Sequence, residues 1–295
     1  MSHRPPMTLP LACALLFLLV PTAEAASNVP AENNTDLLVS CTGKTGTAGT
    51  FRLTLDSGGR TRTYKLTVPS SYQASTGMPL VINLHGWGGT GEQHDTDTGM
   101  SAKAQSAGFI VAHPDGVDNS WNAGACCGGA VSQGVDDVGF IRALVKSISS
   151  SYCVDPDRVF ATGFSNGGYM SHRLGCEAAD VFAAIAPHAG LIGIDTCAPP
   201  RAVPVVQSQG TADLLVPYRN AKASNDYWVQ YNKCTSTSVI YKNGPATCSL
   251  YTGCTGNAEV KWCEVRGMNH VWPTGAYLPI TDVFWDFFVA HPMMR

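Results

Sequence analysis

Long apolar runs are scarce in this chain of 295 residues. Leu9–Val20 forms one, with His3 and Arg4 before it and the small residues Ala23-Glu24-Ala25 after it. Such a pattern marks residues 1–25 as a secretory signal peptide, too short to span a bilayer usefully. No later stretch is long and apolar enough for a transmembrane helix, so the mature chain is expected to be soluble, exported and free of any membrane. Charge is sparse as well: 14% of residues are charged and the formal net charge is -3. Lys and Arg are scattered, which excludes the basic stripe that nucleic acid or an anionic membrane surface would need. C-x-x-C pairs and matched histidine spacings are missing, so no metal site is expected. Internal repeats and low-complexity linkers are absent too, which points to one domain over residues 50–292 after a polar tail at 26–49. Nothing in the sequence specifies an oligomeric state.

Cysteine, by contrast, is plentiful. Of the 11 cysteines, Cys13 lies in the leader and ten remain. An even number in an exported chain reads as disulfides. Asn33-Asn34-Thr35 is a glycosylation sequon if the host is eukaryotic.

Thr50–Leu55 and Thr61–Val68 alternate around Asp56-Ser57-Gly58-Gly59 and predict a hairpin with one wet face. Pro79–Leu84 is almost continuously apolar, as a strand buried on both faces should be. A helix is expected near 96–107 and a strand at Phe109–Ala112. The glycine-rich stretch 115–134 reads as a long loop of the kind that builds sites. Further on, Val138, Ile141, Leu144, Val145 and Ile148 mark one helix face between 136 and 150. Strands at 159–161, 182–186, 203–208, 249–252 and 259–265 and helices near 219–232 and 281–289 complete the alternation. It predicts an α/β fold, a mostly parallel sheet flanked by helices.

Within that alternation, Gly163-Phe164-Ser165-Asn166-Gly167 matches G-x-S-x-G between a strand and a helix, the context of a nucleophile elbow. A serine hydroxyl needs a base, and the base needs an acid to orient it. The order Ser, acid, His favours His270, directly after strand 259–265, over His172, His188 and His291. It favours Asp213, which follows strand 203–208, over Asp180 and Asp195. The oxyanion donors are then the N–H of Asn166, after the nucleophile, and the N–H of Trp87, in the loop after His85. His85 itself reads as a loop anchor. Asp136 and Asp137 precede a helix, where capping accounts for at least one of them. A paired-carboxylate glycosidase has no other support. Asp95–Gly99 faintly suggests a calcium loop, but Ser106 stands where that loop needs Glu.

Taken together, His85-Gly86, Trp121-Asn122-Ala123-Gly124, Cys126-Cys127-Gly128, Val135–Gly139, Gly163–Gly168, Gly210–Asp213 and Gly267–His270 resemble a known set. The chain is similar to the secreted feruloyl esterases and polyhydroxybutyrate-depolymerase-like esterases of carbohydrate esterase family one, over roughly residues 50–290. The resemblance implies an α/β-hydrolase fold and a cofactor-free Ser165–His270–Asp213 esterase whose partner is an ester substrate. It also implies the pairs Cys176–Cys197, Cys234–Cys254 and Cys41–Cys153, with Cys126–Cys127 and Cys248–Cys263 then following. The sequence by itself leaves on the order of a thousand pairings open.

Release of ferulate and related hydroxycinnamic acids from plant cell-wall polysaccharide is the leading expectation. Poly(3-hydroxybutyrate) or its oligomers come second and acetylxylan third; a non-catalytic binding protein would not need all three triad residues. Trp87, Trp121 and Trp272 fall in segments expected to rim the cleft, where an aromatic acid could stack. The lack of an appended module after the domain is expected to favour accessible esters over crystalline polyester.

Overall fold

The computed structural model describes residues 41–294. The leader, the Asn33 sequon and the tail as far as residue 40 lie outside the described residues. Alternation of exposed and covered residues forms β1 (Gly49–Ser57), which turns at Gly58 and Gly59 into β2 (Arg60–Val68). Both turn glycines have positive φ, 59° and 72°, which a side chain would strain. β3 (Met78–Leu84) is buried along nearly its whole length.

One helix was expected at 96–107, but two are found: α1 (Gly91–Thr98) and α2 (Met100–Ala107), separated by Gly99 at φ 63°. The Thr90 hydroxyl caps α1 by accepting from Gln93 N–H at 3.2 Å. After β4 (Ile110–Pro114) and the short α3 (Gly129–Ser132) comes α4 (Asp137–Ser151), capped by Asp136, which accepts from Gly139 N–H at 2.8 Å. β5 (Val154–Phe164) runs longer than its apolar segment suggested and leads through Ser165 into α5 (Asn166–Glu177). β6 (Ala184–His188), β7 (Val205–Gly210) and α6 (Tyr218–Tyr231) follow, each shifted a residue or two from expectation. An unexpected edge strand, β8 (Ser236–Asn243), precedes β9 (Ala246–Thr252), β10 (Val260–Val265) and α7 (Ile280–Ala290).

All ten strands join one sheet in the order β1-β2-β4-β3-β5-β6-β7-β10-β9-β8. From β4 through β10 the neighbours run parallel, while both margins are antiparallel. The sheet is therefore mixed, with a parallel centre. Alternate residues of β3 feed two apolar layers. Leu80, Ile82 and Leu84 face Leu144, Met170 and Trp228 of α4, α5 and α6. Val81 joins the layer of Met100, Phe284 and Phe288 from α2 and α7. Each such large side chain contributes roughly 1.5–3 kcal/mol by leaving water, which makes the parallel centre a firm base for the loops at its strand ends.

Disulfides join Cys41–Cys153, Cys126–Cys127, Cys176–Cys197, Cys234–Cys254 and Cys248–Cys263, the pairs implied by the resemblance. Residues 41–48, expected as part of a tail, are held against the end of α4: Gly46 N–H donates to Ser151 O at 2.9 Å, beside the Cys41–Cys153 bridge. Among the described residues no helix is long and apolar enough to cross a membrane.

Candidate active site

Ser165 stands between β5 and α5 at φ 53°, ψ -121°. A non-glycine residue held there costs on the order of 1–3 kcal/mol, so the surroundings must enforce it. They do so by close backbone packing. A Cβ on Gly163 would strike Gly167 O, and one on Gly167 would strike Leu84 O and lie 2.6 Å from His85 O. Glycine at both positions lets β3, the turn and α5 meet. Ser165 N–H also donates to His188 O at 3.0 Å, and Ser165 O accepts from Tyr169 N–H at 2.9 Å. The hydroxyl-bearing residue is thus pinned from both sides.

In the turn after β7, Asp213 is buried and accepts four hydrogen bonds. Oδ2 takes His270 Nδ1–H at 2.7 Å and Gln209 Nε2–H at 3.0 Å. Oδ1 takes the N–H groups of Leu215 at 2.9 Å and Val216 at 2.8 Å. With Nδ1 protonated, a neutral His270 keeps Nε2 free as an acceptor. The His270 ring lies 4.7 Å from that of Phe164, the residue before Ser165. No hydrogen bond joins Ser165 Oγ to His270 among the described residues. Contacts of this kind are often loose in free sites and tighten with substrate.

Behind His270, the buried imidazole of His188 donates from Nε2 to Val271 O at 2.8 Å and stacks on Phe164 at 5.5 Å. Burial pushes its pKa down to about 4. Neither His188 nor Gln209 was singled out in the sequence as part of the site. Gln209 lay four residues before Asp213, but His188 offered no signal beyond its place at a strand end.

The loop after β3 lies on the serine: a Cβ at Gly86 would sit 3.3 Å from Ser165 Cβ. His85 anchors that loop. Its Nδ1–H donates to Gly86 O at 2.7 Å, Nε2 accepts from Gly116 N–H at 2.9 Å, and burial lowers its pKa. Among the described residues the N–H groups of Trp87 and Asn166 have no backbone acceptor, so both remain candidates for an oxyanion. The Asn166 side chain does other work. It accepts from Trp121 N–H at 2.6 Å and donates to Trp121 O at 3.0 Å and Cys126 O at 3.2 Å. It thereby clamps the 115–134 loop onto the elbow.

That clamp overturns one expectation about the rim. Trp121 is fully buried, its Nε1–H donating to His85 O at 2.9 Å, and it offers no face for stacking. Trp272 is also withdrawn. It packs edge-on against His188, Phe284 and His94 and donates from Nε1 to Thr281 Oγ1 at 3.3 Å. Of the three tryptophans, Trp87 alone is open, at 64% exposure.

The remaining polar candidates are structural. Asp137 is buried in a 2.8 Å pair with Arg62 and accepts Asn122 N–H at 2.7 Å; burial raises its pKa against both of those contacts. His172 accepts from Trp228 Nε1–H at 3.0 Å and is driven down to about 3 by burial. Asp180 pairs with Arg142 at 2.6 Å. Asp95 is held by Lys65 at 2.9 Å and by Ser101 N–H at 2.8 Å. Among the described residues no group of three or more His, Cys, Asp or Glu side chains could hold a metal ion.

Residues 62–223 match the family described as Esterase PHB depolymerase. Feruloyl esterase B of Piromyces equi is 34% identical over 244 residues, 74% of this chain and 43% of that protein. Probable feruloyl esterase C of Aspergillus terreus is 27% identical, covering 78% of this chain and 84% of its own length. The chain thus spans less than half of the Piromyces protein. An acetyl xylan esterase from Aspergillus awamori superposes with a TM-score of 0.64 at 15% identity, over 82% of this chain and 99% of its own. At that identity the likeness speaks to the fold, which is that of the α/β-hydrolases.

Proposed function

The chain belongs to the Esterase PHB depolymerase family, and from that premise we propose that it is a serine esterase releasing ferulate-type acids from plant cell-wall polysaccharide. Ser165 is the nucleophile, His270 the base and Asp213 the residue that orients it. The N–H groups of Asn166 and Trp87 receive the oxyanion. The observation that carries this reading is the 2.7 Å contact of His270 Nδ1 with Asp213, beside a serine at φ 53°. In that arrangement His270 takes the Ser165 proton as Oγ attacks the ester carbonyl, then returns it to the leaving alcohol. Water repeats the cycle on the acyl-enzyme. The names of the Piromyces and Aspergillus relatives support ferulate as the acid. Export is part of the proposal, supported by five disulfides and by the leader pattern.

The second reading is a hydroxybutyrate polyester or its oligomers. It is favoured by the burial of Trp121 and Trp272, which leaves a single open indole for stacking. Initial rates on methyl ferulate, hydroxybutyrate oligomers and acetylated xylan, measured side by side, separate the substrates. Ferulate release should lead, and faster cleavage of the oligomers would move the assignment to polyester. Ser165→Ala should reduce turnover by roughly four to six orders of magnitude; retention of a tenth of the activity would sink the nucleophile.

A further inference from the structure

Three apolar side chains stand in solvent next to members of the proposed triad. Leu214 is 90% exposed and Leu215 75%, both directly after Asp213; Val271, directly after His270, is 51% exposed. Because His270 meets Asp213 at 2.7 Å, the two segments share one edge of the site. The leucines are not on a slack loop. The Asp213 carboxylate takes the N–H groups of Leu215 and Val216, and Val216 is buried, so the turn is fixed and its two leucines are turned outward. Fixed apolar side chains left in water gain nothing for the fold, and a fixed patch beside a reacting centre fits a ligand.

Resting on the esterase reading, we propose that Leu214 and Leu215, with Val271 beside them, bind an apolar alcohol portion of the ester. The side is set by the chemistry. His270 must hand its proton to the departing alkoxide oxygen, so the alcohol part leaves on the histidine side, where these residues lie. Aliphatic side chains gain by burying CH2 groups and gain little from hydrated hydroxyls. The site should therefore favour esters whose alcohol carries a longer alkyl portion over the corresponding methyl esters.

The test varies the alcohol alone. kcat/KM is measured for methyl, ethyl and butyl esters, once with ferulate and once with acetate as the acid. The wild-type protein should improve about tenfold from methyl to butyl, equivalent to about 1.4 kcal/mol. The double variant Leu214→Ser/Leu215→Ser should fall to within about twofold across the series, with a melting temperature close to wild type. A wild-type series that is flat, or a double variant as steep as wild type, overturns the proposal. So does a double variant that keeps the slope but changes mass by light scattering, which would make the patch a self-association surface. Cleavage of acetates without ferulates removes the ferulate reading and leaves this test intact. No cleavage of either removes the esterase reading and this proposal together.

Discussion

Asp213→Asn is the most informative single change, because every neighbour of this carboxylate is a donor. Four N–H groups converge on its two oxygens: His270 and Gln209 on Oδ2, Leu215 and Val216 on Oδ1. An amide has one oxygen to offer. If its NH2 takes the place of Oδ2, it faces His270 Nδ1–H and forces the imidazole to move its proton to Nε2, the atom that accepts from Ser165 in the proposed mechanism. If it takes the place of Oδ1, it faces two backbone N–H groups and opens the turn. Either orientation loses about two charge-assisted bonds of roughly 1.5–3 kcal/mol each. Partial recovery through the surviving oxygen should leave a net destabilisation of about 2–4 kcal/mol. Turnover should fall more steeply, by about 10⁴, the loss that a wrong histidine tautomer produces in the Ser-His-Asp template. Urea unfolding reads the first effect and p-nitrophenyl acetate hydrolysis the second. A variant that loses stability on this scale yet keeps more than a tenth of wild-type kcat would show that Asp213 only holds the turn.

Acid should unfold the protein before most carboxylates are protonated. Burial drives His113 and His188 down to about 4 and His172 to about 3. Between roughly pH 6.5 and 4 the unfolded chain takes up protons that these residues refuse when folded. Their contribution is therefore complete above about pH 6.5 and is lost as pH falls, with a combined slope of up to about 4 kcal/mol per pH unit. Asp137, raised by burial, works weakly the other way. A urea midpoint that does not change from pH 7 to pH 4.5 would contradict this account. Gly167→Ala should cost at least about 1–3 kcal/mol by overpacking and abolish most activity, since its methyl meets the carbonyls of Leu84 and His85. Gly58→Ala, with open space around it but φ 59°, should be milder and leave kcat alone. Trp87→Ala should change KM while altering stability by less than about 0.5 kcal/mol. Trp121→Phe, which strands His85 O, should show the reverse pattern in melting and KM measurements.

The parallel centre was legible because its strands are apolar on both faces, and the elbow because backbone collisions restrict Gly163 and Gly167 to glycine. Less local features were not. Gly99 splits a helical stretch with no change in the surrounding polarity. β8 hides because Val239 and Ile240 are adjacent and exposed on an edge strand with a shifted register, which destroys alternation. The 115–134 loop reads as surface by composition. It is drawn inward by the side chains of Asn166 and Asp137, which take the N–H groups of Trp121 and Asn122 from 45 and 15 residues away. Loop tryptophans can be placed inside or outside only when such long-range acceptors are known. The proposed triad is less exposed to this difficulty, because Ser165, Asp213 and His270 each follow a central strand that the sheet itself orders.

The bridge between Cys41 and Cys153 encloses the segment that contains β1 to β4, the 115–134 loop and α4. A protease that cuts at exposed Gln133 or Gly134 severs the polypeptide inside that enclosure. The two pieces then stay covalently attached through a bond that is neither peptide nor local. In detergent without reductant such clipped molecules migrate with the intact species, and the cut becomes visible only after thiol is added. Apparent homogeneity on a non-reducing gel is therefore no measure of chain integrity for this protein.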